Sequence, residues 1–354
     1  KVRYMDKQFN EVIVGFGGMG NWHRELIESG IDNLHLKGVY DIAEAPCRKA
    51  KEMGYHVYES LDAVLADPEV DIVLCATPND FHKDIVIKAL RAGKNAVSEK
   101  PVTLSSGELQ EMIDAANETG KIFTVHQNRR WDEDFLTIKK IYDENMLGEV
   151  FNIESRVHGS RGIPGDWRNE KVHGGGMMLD WGVHIIDQML QMIPGRIKSV
   201  YCTTTNVTNG EVDDGFTLVL QWENGPRTLL EVGTSNFVEL PRWYVQGVNG
   251  TAVINDWHLN GKIVRITNWE KNDAIPIKTA AGLTKTMAPR TDETIATEEL
   301  PIVHSDIKDF YRNVMDAISG KAEQKIKHHE LMRVMKVMEA AFRSAASGQV
   351  VDFE

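Results

Sequence analysis

The sequence predicts an α/β protein of two domains, the first built on a doubly wound parallel sheet. Three observations carry this. Short apolar runs alternate with helical patterns from Glu11 to His126. A glycine-rich turn, Gly15-Phe16-Gly17-Gly18-Met19-Gly20, stands between the first apolar run and the first helical pattern. Beyond residue 150, β-rich runs are parted by Asn-Gly and Gly turns. At 354 residues the chain also exceeds the roughly 250–300 at which a single core stops growing.

Glu11-Val12-Ile13-Val14 reads as a buried strand, followed by the glycine turn and a helix through Trp22, Leu26 and Ile27. Gly15 would make the tight turn, Gly17 would admit a pyrophosphate to the backbone, and Gly20 would let helix and strand pack closely, with Gly18 and Met19 at the same ligand edge. A second strand, Leu34 to Tyr40, ends in Asp41, 21 residues after Gly20. An acid there bonds a ribose 2′-hydroxyl and repels a 2′-phosphate, so NAD is expected rather than NADP.

The alternation predicts helix 46–53, strand 55–58, helix 60–66, strand 71–76, helix 80–92, strand 95–98, helix 105–119 and strand 122–126. Ligands of such sheets lie beyond the carboxyl ends of the strands. Thr77-Pro78-Asn79, Glu99-Lys100-Pro101 and Gln127-Asn128-Arg129-Arg130 fall there.

The second half reads as strands at 151–154, 200–203, 217–222, 228–232, 243–247 and 263–266, with hairpin turns at Asn224-Gly225 and Asn249-Gly250. Residues 268–299 read as a long excursion, and helices are expected over 305–319 and 328–346, packed around the domain junction. Gly174-Gly175-Gly176 runs into a helical pattern carrying Asp180, His184 and Asp187. Spacings of four and seven return to nearly one helix face, so the carboxylate of Asp180 and the imidazole of His184 point together, and the glycines leave helix-start N–H groups open to a ligand. Asp187, one turn deeper, reads as structural.

Net charge of −12 with no dense basic run argues against nucleic acid and anionic membrane as partners. Cys47, Cys75 and Cys202 are widely spaced, giving neither a disulfide framework nor a zinc site, and no metal is expected. No apolar run approaches the ~18 residues of a membrane span, and residues 1–10 lack the apolar core of a signal peptide. A cytoplasmic location is expected. The chain begins with Lys1 rather than Met, which leaves upstream residues open.

Ala76-Thr77-Pro78-Asn79 with His82, Ala92-Gly93-Lys94, Glu99-Lys100-Pro101, Trp167-Arg168 and Gly174-Gly175-Gly176 leading to Asp180, Gly182, His184 and Asp187 form an ordered set over nearly the whole chain. In this order they resemble the Gfo/Idh/MocA family of NAD(P)-dependent oxidoreductases (glucose-fructose oxidoreductase, inositol dehydrogenase and rhizopine catabolism). The resemblance implies an N-terminal Rossmann domain, placed at residues 1–127. It implies a C-terminal α+β domain at 128–354, with a large open, mainly antiparallel sheet carrying substrate contacts and serving assembly. A homo-oligomer (dimer, tetramer or hexamer) is expected, with the closing helices able to pack back on the first domain. Thr77, Pro78, Asn79, His82, Glu99, Lys100 and Gln127 are carried over as cofactor contacts. Trp167 and Arg168 are assigned to the nicotinamide side or to substrate.

Oxidising a secondary alcohol needs a hydride acceptor and a base. The resemblance gives the work to Lys100, Asp180 and His184. An unperturbed Lys titrates near 10.4 and a His near 6.5, so His184 is the expected base, with Asp180 orienting or relaying and Lys100 holding the reacting oxygen. The sequence leaves Lys100 open as the alternative base. Arg156, His158 and Arg161, together with Lys100, Asp180 and His184, are the expected substrate contacts. His126-Gln127-Asn128-Arg129-Arg130-Trp131 resembles the branch acting on sugars and glycosides, including glucoside 3-dehydrogenases. The expected activity is NAD-dependent oxidation of a ring hydroxyl of a sugar or glycoside. The alternatives are an inositol dehydrogenase, a redox-assisted glycosidase and a non-catalytic dinucleotide-binding regulator.

Overall fold

A computed structural model describes residues 7–354. Part of the N-terminal stretch read for a leader, residues 1–6, lies outside them. Among the described residues no helix is long and apolar enough to cross a membrane.

The first sheet is built from β1 (Phe9–Val14), β2 (Leu34–Tyr40), β3 (Ile72–Cys75), β4 (Asn95–Ser98) and β5 (Phe123–Val125) in the order β2-β1-β3-β4-β5, all parallel. Helices on both faces bury β3 and β4 at every position, which is why these strands are continuous apolar or small-residue runs. The connecting helices are α1 (Gly18–Glu28), α2 (Glu44–Glu52), α3 (Leu61–Ala66), α4 (His82–Arg91) and α5 (Ser106–Thr119). Serines set two of the starts: Ser60 Oγ accepts from Ala63 N at 3.0 Å, and Ser105 Oγ from Glu108 N at 3.2 Å. Gly120, left-handed at φ 64°, ends α5.

One expected strand is absent. Residues 55–58 pair with the sheet at Val39 alone, which donates to His56 O and accepts from Tyr58 N, a single bridge at the edge of β2. The stretch is too short to continue a ladder beside a strand that then turns into α2.

After α6 (Glu133–Asp143), the second sheet uses β6 (Val150–His158), β7 (Ile197–Thr205), β8 (Gly215–Trp222), β9 (Arg227–Gly233), β10 (Trp243–Gly247), β11 (Gly250–Ile254) and β12 (Gly261–Ile266). A small hairpin, β13 (Ile277–Thr279) with β14 (Gly282–Thr284), precedes β15 (Ile295–Glu298), and β16 (Val351–Asp352) closes the chain. The order is β15-β12-β11-β10-β6-β9-β8-β7-β16, and only β6 and β9 pair in parallel. α7 (Val183–Met192) and α9 (His328–Ser347) cover one face, and alternating burial along β8 and β9 follows from it.

Three details differ from the sequence reading. β11 was hidden by Gly250 and Ala252, residues depleted in strands, and the hairpin tip is Val248-Asn249 because Gly247 and Gly250 already pair. The 268–299 excursion is not structureless: it holds the small hairpin and returns as β15 to pair with β12. The helix ahead of α7 begins as a π turn, Met178–Gly182. α8 (Lys308–Ile318) packs back on the first sheet's helices, where Lys308 Nζ donates to Ser29 O at 3.0 Å.

Candidate active site

The glycine turn meets its three requirements by geometry. Gly15 has φ 94°, and a Cβ there would stand 2.6 Å from Ala76 O. Gly20 abuts the same turn, its hypothetical Cβ 2.1 Å from Gly15 O, while Gly17 and Gly18 face open space. Gly17 begins α1 without a side-chain cap, and the first turn carries no acid, so the helix start is a ready anion site. Met19 sits half-buried in that turn. Asp41 is held over it, accepting from Phe16 N at 2.7 Å and Ala43 N at 2.8 Å. An open backbone, an uncapped helix start and a fixed carboxylate fit an NAD pyrophosphate and ribose.

Other expected cofactor contacts divide. Thr77 and Pro78 are half-buried after β3, and buried Asn79 donates from Nδ2 to Gly174 O at 2.9 Å, tying this loop to the second glycine motif. Gln127 is buried with Oε1 unpartnered, an acceptor suited to a ligand. His82 does not face the crevice: it is fully buried, with its ring nitrogens against Pro101 O (3.0 Å) and Thr77 O (2.9 Å), so it shapes the loop.

Glu99 likewise turns away from a ligand. Its Oε1 accepts from His23 Nε2 at 2.7 Å and His126 Nδ1 at 2.8 Å, and its Oε2 from Lys100 N at 3.1 Å. Tyr311 of α8 donates to the remaining nitrogen of His23, and His126 Nε2 has no partner. Burial pushes the Glu99 carboxyl up, but the two imidazoles outweigh it and hold it well below the ordinary value. These three groups are of metal-ligating type and lie within 4.8 Å of one another, yet hydrogen bonds among themselves account for them. The hub braces the backbone that carries Lys100.

Lys100 Nζ donates to Asp180 Oδ1 at 3.0 Å and to Asp180 O at 2.9 Å. Arg168 Nε stands 3.5 Å from the same Oδ1, with its guanidinium over the Trp167 ring at 4.7 Å. Burial pushes Asp180 up, but Lys100 and Arg168 hold it below the usual carboxylate range. His184 is buried with Nδ1 unpartnered. Burial, then the positive charges of Lys100 and Arg129, keep its imidazole well below 6.5, hence neutral near pH 7. Among the described residues no hydrogen bond joins Asp180 to His184. Asp180 binds Lys100 instead of orienting the imidazole.

The helix start is not open to a ligand as the sequence suggested. Gly175 N donates to Glu170 O, Gly176 N to Arg168 O, and Met177 N to Asp213 O, while Met178 N donates to Asp213 Oδ2 at 2.7 Å. Gly176 has φ 101°, and a Cβ there would meet Asp213 Oδ1 at 2.3 Å. The glycines thus let Asp213 cap the π turn that presents Asp180, a turn type frequent at functional sites. The Asp187 carboxylate accepts two bonds from Arg130, at 2.7 and 2.6 Å.

A cleft of about 360 Å³ lies at the carboxyl ends of the parallel pair β6 and β9; His184 is not in its lining but reaches it through Trp181, whose ring is 5.7 Å from the imidazole. His158 lines the cleft; Arg156 and Arg161 do not. Arg156 pairs with Glu154 and Glu231, and His158, two residues further along the same side of β6, is tied to Glu231 as well, through Nε2 at 2.6 Å. Arg161 is exposed on the following loop. The sequence reading missed Trp181 and Trp257 as cleft residues, while Arg129 belongs to the tetrapeptide it set beyond a strand end without giving it a role. Trp181, between Asp180 and His184, had a local signal; Trp257 had none.

Fold and site define a dinucleotide-binding oxidoreductase. Residues 9–127 match the oxidoreductase family with NAD-binding Rossmann fold, and residues 135–253 match the GFO/IDH/MocA C-terminal domain. The chain belongs to the Gfo/Idh/MocA family and is an NAD-dependent dehydrogenase acting on CH–OH groups. It is 48% identical to an NAD-binding protein from Listeria innocua of known structure, covering 98% of this chain and 99% of that one with a TM-score of 0.95. GenD2 from gentamicin A biosynthesis, solved in complex with NAD, is 25% identical over 100% of this chain and 99% of its own, with a TM-score of 0.77. The scyllo-inositol 2-dehydrogenase (NADP(+)) IolW of Bacillus subtilis is 28% identical, covering 97% of this chain and 95% of its own length.

Proposed function

We propose that the protein oxidises a secondary ring hydroxyl of a sugar or glycoside, with C3 of a glucoside as the favoured position. The observation that carries this reading is the Lys100–Asp180 pair and unpartnered His184 beside a cleft walled by Trp181. Aromatic faces with polar donors suit a polyhydroxylated ring.

NAD, when bound along Gly15–Gly20 and Asp41, supplies the hydride acceptor. Lys100 holds the substrate oxygen through its ammonium, which Asp180 fixes in place. Trp167 and Arg168 flank that pair and close it on the nicotinamide side. His184, held neutral by burial and by the neighbouring charges, takes the hydroxyl proton on its imidazole as the carbon gives up its hydride. A chain division at 127/128 belongs to the same reading and is supported by the end of β5 at Val125. So do assembly through the outer sheet face, where Tyr201 is exposed, and a cytoplasmic setting, supported by three free cysteines.

A cyclic polyol presents the same kind of hydroxyl, and the inositol dehydrogenases among the relatives favour it as second reading. Incubation with NAD and a panel of inositols, free sugars and aryl glycosides, following reduced cofactor and released aglycone together, separates the two. Reduced cofactor with sugars or glycosides is the expected result. Reduction by inositols alone gives the second reading, aglycone without net reduction marks a redox-assisted glycosidase, and silence across the panel overturns the proposal.

A further inference from the structure

The cleft has a wall that the chemistry above leaves unused. Trp257 projects from the turn between β11 and β12 and is 46% exposed, although an indole gains from burial. That turn is fixed. Asp256 accepts from His258 N at 2.9 Å, Asn260 N at 3.2 Å and Asn260 Nδ2 at 2.8 Å, and Asn255 N donates to Asn260 O at 2.7 Å. The Trp257 ring lies 5.8 Å from Trp181, and Trp181 lies 5.7 Å from the His184 ring. Trp257 therefore stands one ring further from the proton acceptor than Trp181 does.

The Arg129 guanidinium packs against both indoles, at 4.3 Å from Trp181 and 5.2 Å from Trp257, and Arg242 sits 4.8 Å from Trp257. Each cation has a carboxylate beside it, Asp132 at 3.0 Å from Arg129 and Asp134 at 3.1 Å from Arg242, so the wall carries no excess charge for an anion, although Arg129 Nε and Arg242 Nε and Nη2 stay without a hydrogen-bond partner. The indoles and guanidinium of this wall donate but offer no hydrogen-bond acceptor, and the remaining polar side chains of the lining are His158 and Thr234, so the hydroxyls of a second sugar would be served only in part there, whereas an aryl group has none to lose. Val157, Val232 and Met177 continue the apolar lining.

We infer that Trp257 and Trp181, backed by Arg129, form a second binding position for a flat, uncharged aromatic group joined to the reacting ring. The preferred substrates are then aryl glycosides rather than free sugars. This rests on the sugar or glycoside reading of the site, and the test keeps the two apart. The NAD-loaded protein is titrated calorimetrically with phenyl β-glucoside, methyl β-glucoside and cellobiose, and turnover of each is followed separately. Phenyl β-glucoside is expected to bind about tenfold more tightly than the other two, the worth of one aromatic stack. The advantage should vanish in Trp257→Ala and persist in Trp257→Phe, with melting curves confirming that both variants fold.

Equal affinities for the phenyl and methyl compounds, an advantage that survives Trp257→Ala, cellobiose matching the phenyl compound, or no binding of any of the three would overturn the second position. Turnover without an aryl advantage leaves the dehydrogenase reading standing and removes this one. An aryl advantage without turnover does the reverse.

Discussion

Lys100 and Asp180 are joined twice, once through the carboxylate and once through the main-chain carbonyl of Asp180. The second bond reaches a carbonyl within the π turn, so the ammonium is located by backbone as well as by charge. Lys100→Met, Asp180→Ala and His184→Ala should each lower kcat by about 10²–10⁴-fold. NAD affinity, measured by quenching of tryptophan fluorescence, should hold. Full turnover in all three variants would remove them from the chemistry.

Arg129 depresses the basicity of His184 without belonging to the trio. The imidazole titrates well below 6.5, so kcat/KM should fall only on the acid side of that value. Arg129→Gln removes a positive neighbour, makes the imidazolium less unfavourable and raises the pKa. The acid limb of its pH profile should therefore move to higher pH. A limb that stays in place would point to another base.

Asp41 is fixed by two backbone N–H groups at the edge of the glycine turn. Asp41→Ser should move the ratio of kcat/KM for NAD over NADP toward NADP by on the order of tenfold, the worth of one close charge near a surface. Wild-type protein using both cofactors equally would contradict the role given to this carboxylate.

How the site was legible depends on how far its contacts reach. The glycine turn and Asp41 follow from local backbone demands and could be read directly, and the order of motifs pointed to Lys100, Asp180 and His184. The Glu99 hub could not: His23 reaches it across 76 residues and Tyr311 reaches His23 across 288. Glu99 therefore read as a ligand contact when its oxygens were already taken. Asp213 capping the π turn was hidden for the same reason, across 35 residues. Trp257 rides on a turn bounded by β11, a strand whose glycine and alanine gave no signal. Strands with clear alternation, such as β2 and β10, were legible because a half-buried sheet imposes a period of two.

Glu11 introduces a pH dependence of stability rather than of catalysis. Burial pushes its carboxyl up to about 8, and Oε1 has no partner. The folded state thus holds a proton that the unfolded chain releases near 4.5. The contribution is full below that value and is lost as pH rises through 8. Glu11→Gln mimics the protonated acid, so its melting temperature should exceed that of the wild type increasingly from pH 5 to 8. A constant difference across that range would assign the effect to packing.

The parallel pairing of β6 with β9 sets an otherwise antiparallel sheet apart, since such neighbours require a long crossover between them. Residues 159–226 form that crossover, and Trp167, Arg168, Asp180, Trp181, His184 and Asp213 all lie within it. Of the residues proposed for the chemistry, all but Lys100 thus ride on an insert clasped at both ends by one strand pair, while β10, β11 and β12 extend the sheet outside it. New specificities can arise by rewriting the insert or the Trp257 turn while the strand registers that support both stay as they are.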